Sequence, residues 1–190
     1  PSGIEDYFLI ESLSGGLIDF SGLTTFVGGE VELIANGGSV DFSSLTAFGL
    51  ESGQSSTFAI SNGGSIQTPN VVTWNGVYLN VTNINAVSLS QAQSFTQGAL
   101  TANGITLNLP SLTNISNTLL AATGGGQLIL PGVTGYNSRG LTQSYTNWTL
   151  MNADGVGSLI DLPNLQTMDV VTPGNGGYDW QKIRAANNGT

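Results

Sequence analysis

Hydrophobic residues recur along this chain in a nine-residue pattern, apolar-x-apolar-(Ser/Pro)-x-apolar-x-x-apolar. It starts seven times, at Ile18, Val40, Ile66, Val87, Leu107, Leu128 and Ile160. Successive starts lie 22, 26, 21, 20, 21 and 32 residues apart, a spacing that belongs to stacked structural repeats. The first and third positions are mainly apolar, and the second is mostly polar: Asp19, Asp41, Gln67, Ser88, Asn108, Ile129 and Asp161. Alternation of period two predicts a short strand with one face in the core. The fourth position, Ser21, Ser43, Pro69, Ser90, Pro110, Pro131 and Pro163, is only Ser or Pro, so the strand ends there in a corner.

Beyond the corner the sixth position (Leu23, Leu45, Val71, Ala92, Leu112, Val133, Leu165) and the ninth (Phe26, Phe48, Trp74, Phe95, Ile115, Tyr136, Met168) are apolar again. These two anchors predict a second strand, bent or bulged because they stand three apart rather than two. A third apolar stretch precedes most copies, as in Phe8-Leu9-Ile10, Val31-Glu32-Leu33-Ile34, Thr57-Phe58-Ala59-Ile60, Val77-Tyr78-Leu79, Leu119-Leu120 and Trp148-Thr149-Leu150-Met151. Many of these stretches run into Asn-Gly or Gly-Gly, residues that turn a chain sharply through positive φ.

Three strands and three corners in about 21 residues predict an all-β fold, a triangular parallel β-helix (solenoid) of about seven coils, with right-handed winding expected. One coil offers four or five inward side chains, each contributing at most ~1.5 to 3 kcal/mol, against ~1 to 2 kcal/mol for every backbone residue fixed. Single coils therefore cannot stand alone, and stacking is the source of stability. Residues 1–173 are expected to form one β-helix domain, with 174–190 a C-terminal cap or linker. The apolar stretch at Gly3 to Ile10 reads as the third strand of an incomplete coil, which suggests a larger parent protein. Extra residues fall at Gly49 to Ser56 and at Asn137 to Asn147, where loops are expected on one side of the rod.

The repeat, in segments such as Gly37-Gly38-Ser39-Val40-Asp41-Phe42-Ser43-Ser44-Leu45-Thr46, resembles those of secreted bacterial parallel β-helix proteins: adhesin and autotransporter passenger stalks and, more distantly, pectate-lyase-like folds. The resemblance covers Gly15 to Met168. Its adhesive members imply a stalk or attachment role. The lyase members imply cleavage of acidic polysaccharide with calcium and a basic catalytic residue, but their basic motifs map onto no position here. A leucine-rich repeat shares the period but lacks its Asn column and its helical return.

Composition narrows the chemistry. Charged residues make up 8% of the chain, against roughly a quarter in ordinary globular proteins, so Ser, Thr, Asn, Gln and Gly must clothe the surface. With three cations and a net charge of −9, the chain is not suited to nucleic acid or to anionic membrane surfaces. Cys and His are absent, which removes disulfides, thiol nucleophiles and the usual general base. No apolar run reaches the ~18 to 20 residues of a membrane-spanning helix, so no membrane insertion is expected. A neutral, hydrogen-bonding surface poor in Lys places the protein outside the cell, secreted or at the cell surface.

Two sets of residues are candidates for a site. Asp19 and Asp41 share a column on adjacent coils, about 5 Å apart, close enough for calcium; an exposed polar column, continued by Gln67 and Ser88, is the favoured reading. Arg139, Tyr145 and Trp148 belong to the longest loop, where a cation and two aromatics would suit a sugar. A lyase would use Arg139 as its base, yet a single Arg cannot both neutralise a uronic acid and accept its proton. Thr24, Thr46, Thr113 and Thr134 share another column, the arrangement behind ice binding, but Val72, Gln93 and Gln166 interrupt it and cross-coil hydrogen bonding accounts for it. The four N-x-Ser/Thr sequons at Asn80, Asn114, Asn147 and Asn188 match chance in so Asn-rich a chain.

The sequence thus favours a non-catalytic structural or adhesive module that needs no cofactor. Its expected partners are neighbouring repeats or domains of a longer chain, an extracellular glycan, or another copy stacked end to end.

Overall fold

The computed structural model describes residues 7–50, 55–141, 147–170 and 180–190. Along the chain the strands come in threes. The first coil holds β1 (Phe8–Leu13), β2 (Leu17–Asp19) and β3 (Thr25–Gly28); the second, β4 (Val31–Asn36), β5 (Ser39–Asp41) and β6 (Ala47–Leu50); the third, β7 (Ser56–Ser61), β8 (Ser65–Gln67) and β9 (Thr73–Asn75). The fourth keeps only β10 (Val77–Val81) and β11 (Ser94–Thr96), and the fifth only β12 (Ala99–Asn103) and β13 (Thr106–Asn108). Full coils resume with β14 (Leu119–Thr123), β15 (Gln127–Ile129) and β16 (Gly135–Asn137), then β17 (Trp148–Asp154), β18 (Leu159–Asp161) and β19 (Thr167–Asp169); β20 (Gln181–Ala186) follows.

Every pairing between named strands is parallel and joins one coil to the next. The broad face is an eight-stranded sheet, β1-β4-β7-β10-β12-β14-β17-β20. The second face is split into β2-β5-β8 and β13-β15-β18, and the third into β11-β9-β6-β3 and β16-β19. The all-β parallel solenoid follows the sequence pattern closely, but the coil count is lower than expected. Five coils carry a strand on all three faces, not seven, because single bridges, Ile66 to Val87 and Ser94 to Asn114, replace strands in the fourth and fifth. Beyond residue 173, β20 pairs in parallel with β17 and extends the broad face.

The repeat columns became register. Ile18 pairs with Val40 and Val40 with Ile66, while Leu107, Leu128 and Ile160 align on the other half of that face. Ninth-position residues stack likewise. Phe26 lies over Phe48 at 4.8 Å between ring centroids, and Trp74 over Phe95 at 6.2 Å, with Phe58 from the broad face set edge-on to both Phe48 and Trp74. Phe48, Trp74 and Phe95 are buried, so this column is a core ladder rather than a sugar platform.

The second strand differs from its expected form. Sixth-position residues lie not in a bulged strand but in the corner before it. In all seven copies their backbone N–H donates to the third-position carbonyl, from Leu23 to Phe20, Leu45 to Phe42, Val71 to Thr68, Ala92 to Leu89, Leu112 to Leu109, Val133 to Leu130 and Leu165 to Leu162. That is a β-turn whose second residue is the Ser/Pro column, the position where a fixed φ near −65° is pre-set for the turn. The turn spans the third to the sixth position, so the sixth-position anchor stands ahead of the strand that in most copies holds the ninth, and Leu45, Val71, Leu112 and Val133 are buried there.

Coils touch closely where the chain enters the broad face, at Gly98 against the Val77 carbonyl, and where it leaves it. A Cβ added to Gly64 or to Gly126 would run into the carbonyl oxygen of Ala35 or Ala102, one coil below. These glycines are required by stacking, besides the positive φ of their neighbours Gly63 and Gly125.

Candidate functional site

Asp19 and Asp41 are brought together as register partners on β2 and β5. Each carboxylate is engaged in its own corner, accepting the backbone N–H two residues on, Ser21 and Ser43, both at 2.8 Å. The Ser21 hydroxyl, then its N–H, holds the Asp19 carboxyl below the usual carboxylate range. Asn83, Asn114 and Asn137 close corners in the same way, accepting from Asn85, Ser116 and Arg139. Among the described residues no group of three or more acidic, His or Cys side chains could hold a metal ion.

The long-loop residues are placed apart in role. Tyr145 lies outside the described residues. Arg139 is exposed and its Nε donates to Asp169 Oδ2 at 2.6 Å; that hydrogen bond, with the attraction of the carboxylate, raises the guanidinium further above its ordinary value. An arginine stabilised in its charged form is a poor proton acceptor. Trp148 opens β17 and packs against the hydrophobic core, with its Nε1 buried and lacking a hydrogen-bond partner. Its indole is mainly a core element.

A second polar cluster closes the last coil. Arg184 on β20 donates to Asp154 at 2.8 Å and Asn152 at 3.1 Å, and Asn187 also donates to Asp154 at 2.6 Å. These bonds hold the Asp154 carboxyl below its usual range, Asn187 contributing most. Deeper in the rod, the Tyr136 hydroxyl donates to the Thr118 carbonyl at 3.0 Å while the Thr118 hydroxyl donates to the Phe95 carbonyl at 2.6 Å. Burial pushes the Tyr136 hydroxyl upward, keeping it neutral. The Thr column behaves as cross-coil bonding predicts, since the Thr46 and Thr113 hydroxyls donate to the Thr24 and Gln93 carbonyls.

Sequence reasoning missed the outer side of the broad face. A shallow hollow of about 460 Å³ lies there over Thr57, Ala59, Tyr78, Asn80, Ala99 and Thr101. A second, about 300 Å³, shares Ala99 and Thr101 and continues past Ala121 to Lys182 and Arg184. A third, about 210 Å³, continues the other way from Thr57 to Glu30 and Glu32. Together they form one trough along the rod, acidic toward β1 and β4 and basic toward β20. Small residues at outward positions were the available signal: Ala59 on β7, Ala99 on β12 and Ala121 on β14 leave a low floor, with Ala99 between Tyr78 and Leu119. A further hollow of about 390 Å³ sits on the second face beside Ile84, Ser88 and Ser90, where the fourth coil has lost its strand. No helix long and apolar enough to cross a membrane occurs among the described residues.

Comparison with protein-family models, with curated proteins and with solved structures found no match to this chain.

Proposed function

We propose that this protein is a non-catalytic structural or adhesive module that works through a rigid, hydrogen-bonding surface with few charges. The observation that carries this reading is the eight-stranded parallel sheet running from β1 to β20 over a continuous core ladder. Such a rod has a fixed length and stiff faces, and each coil adds about 4.8 Å. The chemistry placed on it supports the same reading: the candidate base Arg139 is held charged by Asp169, and the paired Asp19 and Asp41 brace their corners. Location outside the cell and attachment to neighbouring repeats or domains of a longer chain belong to the same proposal, supported by the low charge and hydrogen-bonding surface.

Incubation of the purified protein with a panel of neutral and acidic polysaccharides, with and without calcium, tests it. No depolymerisation is expected. Release of unsaturated oligosaccharides that stops in Arg139→Ala would overturn the proposal in favour of a lyase.

A further inference from the structure

The trough on the broad face is wide, shallow and mostly apolar, and its two ends carry opposite charge. Two of the chain's three cations, Lys182 and Arg184, stand at one end, where the Asp154 carboxylate paired with Arg184 leaves a net positive charge; Glu11, Glu30 and Glu32 stand at the other. We infer that this face is a self-complementary interface on which a second copy of the chain docks with its long axis reversed.

The pairing follows from symmetry. Two sheets meeting face to face around a two-fold axis along the strands reverse the order of coils but keep each position along a strand. The first strand of one copy then faces the eighth of the other, the third faces the sixth, and the fourth faces the fifth. Tyr78 on β10 is thereby set over Ala99 on β12 of the second copy, a large ring above the smallest side chain. Ala59 on β7 meets Ala121 on β14, so the sheets approach without obstruction. Glu11 on β1 meets Arg184 on β20, and the arrangement repeats itself about the axis. Because every contact is made twice, the acidic end of each copy lies on the basic end of the other. A parallel arrangement would set acid on acid and base on base.

The face is large enough. Seven inter-strand spacings of ~4.8 Å by about five residues of ~3.3 Å give roughly 550 Å² per copy, near 1,100 Å² in total, which clears the floor of about 1,000 Å² for a biological interface and suits a weak, concentration-dependent dimer. Carbohydrate fits less well, since Thr57, Asn80 and Thr101 offer hydrogen-bonding groups but Tyr78 alone among the described residues offers an exposed aromatic face in the middle of the trough.

Sedimentation equilibrium across a concentration series, joined to cysteine cross-linking, tests the inference. The chain has no cysteine of its own, so introduced ones report cleanly. Twice the 19.6 kDa chain mass is expected at high concentration, with Ala99→Arg remaining monomeric while keeping the parent's far-ultraviolet circular dichroism and melting midpoint. A short bis-maleimide should join two chains of the double variant Ala59→Cys/Ala121→Cys. Within one chain these positions lie three layers apart, about 14 Å, and neither single variant should cross-link efficiently. Monomer mass at every concentration would overturn the inference. So would mass that grows beyond the dimer, which marks end-to-end stacking, and so would cross-linking of either single variant, which marks parallel docking. Retention of a monomer on immobilised polysaccharide through the Tyr78 face would overturn it in favour of a glycan site.

Discussion

Strands on the broad face run five to seven residues and follow one another from β1 to β20, whereas those on the other two faces run three or four and give way to single bridges at Val87 and Asn114. The same chain, with the same core residues stacked inside, thus builds one face from ladder and two from corners. On the broad face the hydrogen bonds between coils are continuous, and outward residues can vary from Glu32 to Ala99 without breaking it. On the narrow faces order depends on the turn between third and sixth positions, on Asp and Asn side chains that close it, and on Ser or Pro at its second residue. A ladder tolerates changes of side chain, and a corner tolerates loss of ladder.

The difference can be broken most severely by proline. Thr101→Pro, in the middle of β12, removes a ladder donor with neighbours on both sides, and a loss of about 3 kcal/mol or more is expected in urea unfolding. Gly126→Ala tests the junction between the two regimes. Its new methyl would meet the Ala102 carbonyl, and a loss of about 1 to 3 kcal/mol should appear as a lower urea midpoint. At the corner the sign reverses: Ser90→Pro adopts the residue that the same column already holds at Pro69, Pro110, Pro131 and Pro163. It should leave stability unchanged or raise it by about 0.4 to 1 kcal/mol in the same assay.

Acid should produce the smallest and most local effect. The Asp19, Asp154 and Asp169 carboxyls are all held below their ordinary value, Asp169 chiefly by its hydrogen bond from Arg139. Groups with lowered folded-state values bind protons more readily unfolded. Their stabilisation is therefore complete above the unfolded value near 4 and is lost as pH falls through the folded values below it. Asp154 and Asp169 both serve the last coil, so amides of β19 and β20 should lose hydrogen-exchange protection in acid before those of β12, after correction for intrinsic rates.

Much of this comparison was legible in the sequence, because inward positions of a solenoid must repeat. The Ile18, Val40, Ile66 column and the Phe26, Phe48, Trp74 column appear in the structure as aligned neighbours. Parts lacking that constraint were harder to read. Ala99–Asn103 forms the central strand β12, yet its small side chains give it little hydrophobic contrast. The fourth and fifth coils keep their apolar anchors while losing one strand each, since an anchor needs only a buried side chain, whereas a strand needs consecutive paired backbone groups. The three-residue gap from Leu45 to Phe48 predicts a bulge, whereas Leu45 closes the preceding turn and Phe48 belongs to β6, so the gap is the step from corner to strand. For the candidate site, the Asp19 and Asp41 pairing could be read from the column, but their use in the corners could not. The trough was overlooked because its defining residues are small outward side chains, which the apolar pattern of the core does not mark.

The corner between the third face and the broad face has one further consequence. The long connections between β6 and β7, β16 and β17, and β19 and β20 all fall there, and parallel register resumes beyond each, with one bulge at Thr149/Met151. Length can thus vary along one edge of the prism while the pairing on the faces is kept, apart from that single bulge. That edge is a natural mounting rail: peptides grafted into it on successive coils would be presented in a straight row at about the rise of one coil, with their spacing set by the choice of rung.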